Sequence, residues 1–135
     1  MAIGDVLNDS RSARLLVVED DALLASALQE LLDDAGFEVV GTAGSAAAAL
    51  SLAKDQSPQL ALVDICLVGP IDGIELACRL RAEYRIPTIF LSGLADPEVR
   101  ERALMAEPLG FLRKPYRASK VYNAIEQALQ GQLST

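Results

Sequence analysis

The chain contains no histidine, which excludes a histidine-containing catalytic triad, a histidine zinc site and service as a phosphohistidine carrier. Its chemistry must come from carboxylates, hydroxyls and amines. Cysteine is almost as scarce: Cys66 and Cys78 form no C-x-x-C pair and make no disulfide framework. They read as small apolar side chains in a reducing cell. Apolar residues are 51% of the chain but fall in short runs, none approaching the length of a transmembrane helix. The opening stretch, MAIGDVLNDSRSA, lacks the basic flank and apolar centre of a secretory signal, so a cytoplasmic location away from the membrane is expected. Bases are outnumbered, 12 against 19 acids for a formal charge of −7, and form no stripe interleaved with aromatics. That argues against direct nucleic-acid binding.

What is present is alternation. The 135 residues suit one domain, expected over 14–131, with a polar tail at 1–13 and a short tail at 132–135. Apolar runs fit for strands recur at 14–18 (RLLVV), 37–43, 59–65, 87–92 and 110–112. Helical patterns lie between them. The first, Asp21 to Ala35, puts Leu24, Leu28, Leu31, Leu32 and Ala35 on one stripe, and Gly36 supplies its stop. The second, SAAAALSLAKD, is a helix by alanine's propensity, punctuated by Leu50 and Leu52. The third starts near Asp72 with Ile74, Ala77, Leu80 and Tyr84 along one side. The fourth opens with Asp96 as cap, Pro97 at the first turn and Glu98 near the positive helix end. The last runs from Arg117 to Gln130, with Val121, Ile125 and Ala128 in register, and closes at Gly131. Strand then helix, five times, predicts an α/β doubly wound domain with a five-stranded parallel sheet. Ligands of such folds sit beyond the carboxyl ends of the strands.

The loops at those ends carry the chemistry. Glu19, Asp20 and Asp21 follow the first strand, Asp64 ends the third, Ser92 ends the fourth, and Lys114-Pro115 follows the fifth. Carboxylates crowded together stay ionised only if a cation or hydrogen-bond donors offset them. Mg²⁺ prefers oxygen ligands and commonly binds through one or two carboxylates plus a phosphate oxygen. Lys114 can balance the charge of an incoming phosphoryl group, Ser92 can hydrogen-bond it, and Asp64 can act as nucleophile to form an acyl phosphate. Each residue taken singly has a plainer reading: a helix cap, a turn residue, a loop hydroxyl, a solvated charge, or, for Phe111, strand packing. Together they do not, because folding does not require acid, acid, hydroxyl and amine at the matching ends of four strands.

With these stretches in hand, LLVVEDD, ALVDI followed by DGIEL, PTIFLSG and FLRKPY, the chain resembles the receiver domain of bacterial two-component response regulators from about Arg14 to Gln130. The resemblance implies a flavodoxin-like fold with strand order 2-1-3-4-5. It implies that Glu19, Asp20, Asp64 and the Cys66 carbonyl hold Mg²⁺, and that Asp64 accepts phosphate from a sensor histidine kinase or histidine phosphotransfer protein. Ser92 and Lys114 would contact the phosphoryl group, and Ser92 and Phe111 would be the switch pair. Asp21 is then the spare acid at the helix start. A cis Lys114-Pro115 bond is implied as well.

Departures from the family pattern are local. The stretch from Asp64 to Asp72-Gly73 is about one residue longer than usual and contains Gly69-Pro70; Glu107-Pro108 replaces a common small-residue turn; and the switch aromatic is Phe111 rather than tyrosine. Cys66 and Leu94 stand where the family tunes water access, and neither orients water well, so slow self-dephosphorylation is expected. The expected role is a stand-alone, non-enzymatic switch that signals by binding an unidentified downstream protein. A relay intermediate, a phosphate sink or a constitutive scaffold with an idle site are the alternatives. Homodimerisation through the fourth helix, fifth strand and fifth helix is left open, since no decisive patch marks it. A flavin carrier is disfavoured by acids where a phosphate loop belongs. An aspartate phosphatase would need an acid where Cys66 stands.

Overall fold

The computed structural model describes residues 13–93 and 96–133. Residues 1–12 of the expected tail and Leu94 lie outside the described residues. Ten elements alternate: β1 Arg14–Val18, α1 Ala22–Asp34, β2 Glu38–Ala43, α2 Ala46–Gln56, β3 Leu60–Asp64, α3 Gly73–Tyr84, β4 Thr88–Ser92, α4 Pro97–Leu104, β5 Gly110–Arg113 and α5 Ala118–Leu133. All pairings are parallel and the sheet order is β2-β1-β3-β4-β5. The fold is thus the doubly wound, flavodoxin-like sheet. Among the described residues no helix is long and apolar enough to cross a membrane.

The central strands are apolar through their middles because both faces are covered. Leu16, Val18, Ala61, Val63 and Phe90 face α2, α3 and α4, while Leu15, Val17, Leu60, Leu62, Ile89 and Leu91 face α1 and α5. Alternate residues therefore enter two separate cores.

Helix ends follow the local signals. Asp21, Ser45, Asp72 and Asp96 each cap a helix through a side-chain oxygen, each cap worth about 1 kcal/mol. At the end of α1, Gly36 takes φ 94°. Its N–H donates to the Asp33 carbonyl and that of Phe37 to the Leu32 carbonyl. This left-handed closure brings Phe37 into the core beside Leu32, so Phe37 closes the helix instead of opening β2.

Two further expectations need correction. Leu24 is 44% exposed and Ala25 takes the buried place in α1, because the cap at Asp21 fixes the helix phase. The alanine-rich α2 is a helix as expected; its alanines 46, 49 and 53 bury while Leu50 and Leu52 flank them, since small residues let the helix approach the sheet. The fifth helix does not stop at Gly131 but runs to Leu133. Glycine in a helix costs only about 1 kcal/mol, and the amphipathic stripe of Val121, Ile125, Ala128 and Leu129 anchors the preceding turns.

Candidate functional site

The connection from β1 runs to β2 on one side and that from β2 crosses back to β3 on the other, so the strand order reverses here and opens a crevice at the carboxyl ends of β1 and β3. Glu19 and Asp64 meet there. The Glu19 N–H donates to the Ala43 carbonyl at 2.9 Å, tying the loop after β1 to the end of β2. The three consecutive acids then divide. Glu19 is buried, 4% exposed, and Asp20 projects to solvent. Asp21 turns back to accept the Leu23 and Leu24 amides at 3.0 and 3.2 Å, and its own N–H donates to Glu19 Oε2 at 3.2 Å.

Asp64 is the last residue of β3 and 6% exposed. Its Oδ1 accepts the Cys66 N–H at 2.9 Å, which fixes the turn carrying Cys66. Carboxylate oxygens of Glu19, Asp20 and Asp64 all lie within 4.8 Å of one another. Lys114 reaches this cluster from the end of β5: Nζ is 2.7 Å from Glu19 Oε1 and 3.4 Å from Asp64 Oδ2. The Lys114 N–H donates to the Ser92 carbonyl at 2.7 Å, so β4 aligns the lysine, and the Lys114–Pro115 bond is cis.

Three carboxylates against one ammonium leave the group negative. Burial works against the charged form of Lys114, but its hydrogen bond to Glu19 and the field of Asp64 outweigh burial and hold its pKa above the ordinary lysine value. The Cys66 thiol is pushed up, first by desolvation and then by the Asp64 charge. A thiol kept protonated in this way is a weak nucleophile. The donor set of Glu19, Asp20 and Asp64 is all carboxylate oxygen, the chemistry that suits a hard divalent cation.

Ser92 ends β4 half-buried, and with Ile65, Val99, Arg100 and Phe111 lines a cavity of about 310 Å³ between β4, β5 and α4. Phe111 lies in register with Phe90, their ring centroids 5.9 Å apart, and the Arg100 guanidinium carbon stands 4.5 Å above the Phe111 ring.

Glu19, Asp20, Asp64, Cys66, Ser92 and Lys114 lie at the carboxyl ends of the strands, while Phe111 sits within β5 opposite Phe90 and lines the same cavity as Ser92. Sequence reasoning missed three supports. Gly73 starts α3 directly against the backbone of Asp64; the Asp72-Gly73 pair was the available signal. Arg102 donates to Asp72 Oδ2 at 3.1 Å. Arg81 binds the Ala106 carbonyl at 3.1 Å and pairs with Glu107, holding the α4–β5 turn. Neither arginine has a mark in the sequence, because their partners are distant along the chain.

Comparison with known proteins agrees with this geometry. Residues 15–126 match the family described as "Response regulator receiver domain". The chain is 34% identical over 116 residues to the transcriptional regulatory protein PdtaR of Mycobacterium tuberculosis, covering 86% of this chain and 56% of that protein. It is 32% identical over 119 residues to the chemotaxis protein CheY of Bacillus subtilis, covering 86% of this chain and 97% of CheY. The chain spans about half the length of the first curated relatives it matches. Among solved structures, the signal receiver domain of a modulated diguanylate cyclase from Desulfovibrio desulfuricans superposes with a TM-score of 0.86 at 37% identity, covering 91% of this chain and 98% of that one. The receiver domain of the putative response regulator NarL from Mycobacterium tuberculosis gives a TM-score of 0.82 at 30% identity, covering 89% of this chain and 98% of that one. With sheet order, acid cluster and lysine all in accord, the chain belongs to the response regulator receiver domain family.

Proposed function

We propose that this chain is a Mg²⁺-dependent phosphorylation switch whose acceptor is Asp64. The observation that carries this reading is the convergence of the Glu19, Asp20 and Asp64 carboxylates within 4.8 Å of one another, with the Lys114 ammonium 2.7 Å from Glu19 and 3.4 Å from Asp64. The Glu19, Asp20 and Asp64 side chains, joined by the Cys66 carbonyl, would hold Mg²⁺. Bound there, the ion supplies positive charge that offsets the carboxylates and favours an approaching phosphoryl group.

The donor is a phosphohistidine on a sensor histidine kinase or histidine phosphotransfer protein. Its P–N bond breaks as a P–O bond forms to the Asp64 carboxylate, and the imidazole nitrogen keeps the bonding electron pair. Lys114 balances charge on the phosphoryl oxygens, and the Ser92 hydroxyl donates to one of them. The fold arranges these groups beforehand, so little reorganisation is left for the transfer. The protein modifies itself and does not turn over an external substrate. Output passes to a downstream protein through the surface of α4, β5 and α5, to which half-buried Phe111 belongs.

Intact mass after incubation with acetyl phosphate tests the reading. One phosphoryl adduct is expected with Mg²⁺, and none without metal or in Asp64→Asn. An adduct that persists in Asp64→Asn overturns the assignment of the acceptor.

A further inference from the structure

We propose that Arg100 is a positioning residue that holds the Phe111 ring at the rim of the cavity beside Ser92, and so sets how readily that ring moves when the phosphoryl site fills. The inference rests on the phosphorylation reading above but concerns a residue that reading does not use.

Phe111 is fixed from two sides. Inward, its ring meets fully buried Phe90 at 5.9 Å with the planes tilted by 37°. Outward, the Arg100 guanidinium carbon lies 4.5 Å from the ring centroid, well inside the range of cation–π attraction. That guanidinium has no competing claim: among the described residues Arg100 makes no ion pair, whereas Arg102, two residues on, is held by Asp72. Arg100 itself is placed by the first turn of α4, its N–H donating to the Asp96 carbonyl at 3.1 Å.

Space for the ring to move is present. The cavity of about 310 Å³ is lined by Ser92, apolar Ile65 and Val99, Phe111 and Arg100 itself. Phe111 also lines a second cavity, with Pro115, Tyr116 and Lys120. A ring displaced toward Ser92 leaves the guanidinium, and a ligand that favours the displaced ring must overcome that contact.

The sign of the effect separates this from simple electrostatics. If Arg100 acted only as a nearby positive charge, removing it would weaken binding of an anion at the phosphoryl site. If it restrains the ring, removing it strengthens binding, by about two- to fivefold for a surface cation–π contact.

The test is calorimetric titration of beryllofluoride in the presence of Mg²⁺, with Arg100→Ala compared to the native chain, and again in a Phe111→Leu background. Arg100 is exposed on a helix, so alanine there preserves the fold. The expected result is tighter binding on Arg100→Ala when Phe111 is present and no change when it is replaced. The mimic-free Arg100→Ala protein should also show the Phe111 ring resonance shifted toward its beryllofluoride-bound position, read among only three phenylalanines. Equal or weaker binding on Arg100→Ala, or the same gain in both backgrounds, overturns the inference about Arg100 alone. A native chain that does not bind beryllofluoride overturns it together with the phosphorylation reading.

Discussion

Gly73 packs so closely on Asp64 that a Cβ at position 73 would lie 2.1 Å from the Asp64 carbonyl oxygen. The obstructing atom is backbone at the end of a central strand, so it cannot swing away as a side chain would. Gly73→Ala is therefore expected to destabilise the fold by about 1–3 kcal/mol, the usual cost of overpacking. It should also displace Asp64 and lower phosphorylation by acetyl phosphate. Urea denaturation together with intact mass checks both, and native stability in the variant would refute the steric account.

Lys114 competes for the same carboxylates that are proposed to hold the metal. Lys114→Ala should therefore tighten Mg²⁺ binding in the absence of phosphate while slowing phosphoryl transfer, because the ammonium that balances the incoming charge is gone. Metal titration followed by calorimetry reads the first effect, and the rate of adduct formation the second. Parallel losses in both would contradict the division of roles.

Asp20 is the exposed member of the acid cluster. Asp20→Asn relieves repulsion, so the metal-free protein should be no less stable than the native chain. The rise in melting temperature caused by Mg²⁺ should shrink, since ligand binding to the native state stabilises in proportion to its affinity. Differential scanning fluorimetry with and without Mg²⁺ measures both. An undiminished Mg²⁺ response would remove Asp20 from the ligand set.

Asp72 offers a pH test on a carboxylate outside the Glu19, Asp20 and Asp64 cluster. Partial burial pushes its carboxyl up, but the Glu75 amide and the Arg102 guanidinium outweigh that and hold its pKa below the ordinary 3.8. A depressed folded value means the stabilisation is fully present above pH 3.8 and is lost as the pH falls through the folded value. Asparagine caps a helix nearly as well as aspartate, so Asp72→Asn removes mainly the charge. The pair is solvent-facing, and the expected deficit near neutral pH is under about 1 kcal/mol. Denaturation midpoints from pH 7 down to pH 2 should converge at the acid end.

Self-dephosphorylation should be slow. The exposed Cys66 thiol is held protonated by desolvation and by the Asp64 charge, and it orients water poorly beside the acceptor. A phosphorylated lifetime of minutes or longer in Mg²⁺ is expected from the decay of the mass adduct, and decay within seconds would refute it.

Much of this protein was legible in its sequence, where the information is local or periodic. Unbroken apolar strands alternating with amphipathic helices specify a parallel sheet covered on both faces, because only that arrangement buries Leu15 and Leu16, or Leu62 and Val63, on opposite sides at once. Asp21, Asp72 and Asp96 announce helix starts, since a cap acts on amides two or three residues away. The acids, hydroxyl and amine at the strand ends announce a site for the same reason: the fold class alone places strand ends together. Tertiary structure decided what depends on contacts across the chain. It selected Ala25 over Leu24 for the core, carried α5 past Gly131, set Gly73 against Asp64, and laid Arg100 over Phe111. Those outcomes turn on helix phase and on distances of a few ångströms between segments remote in sequence, quantities that periodicity does not encode.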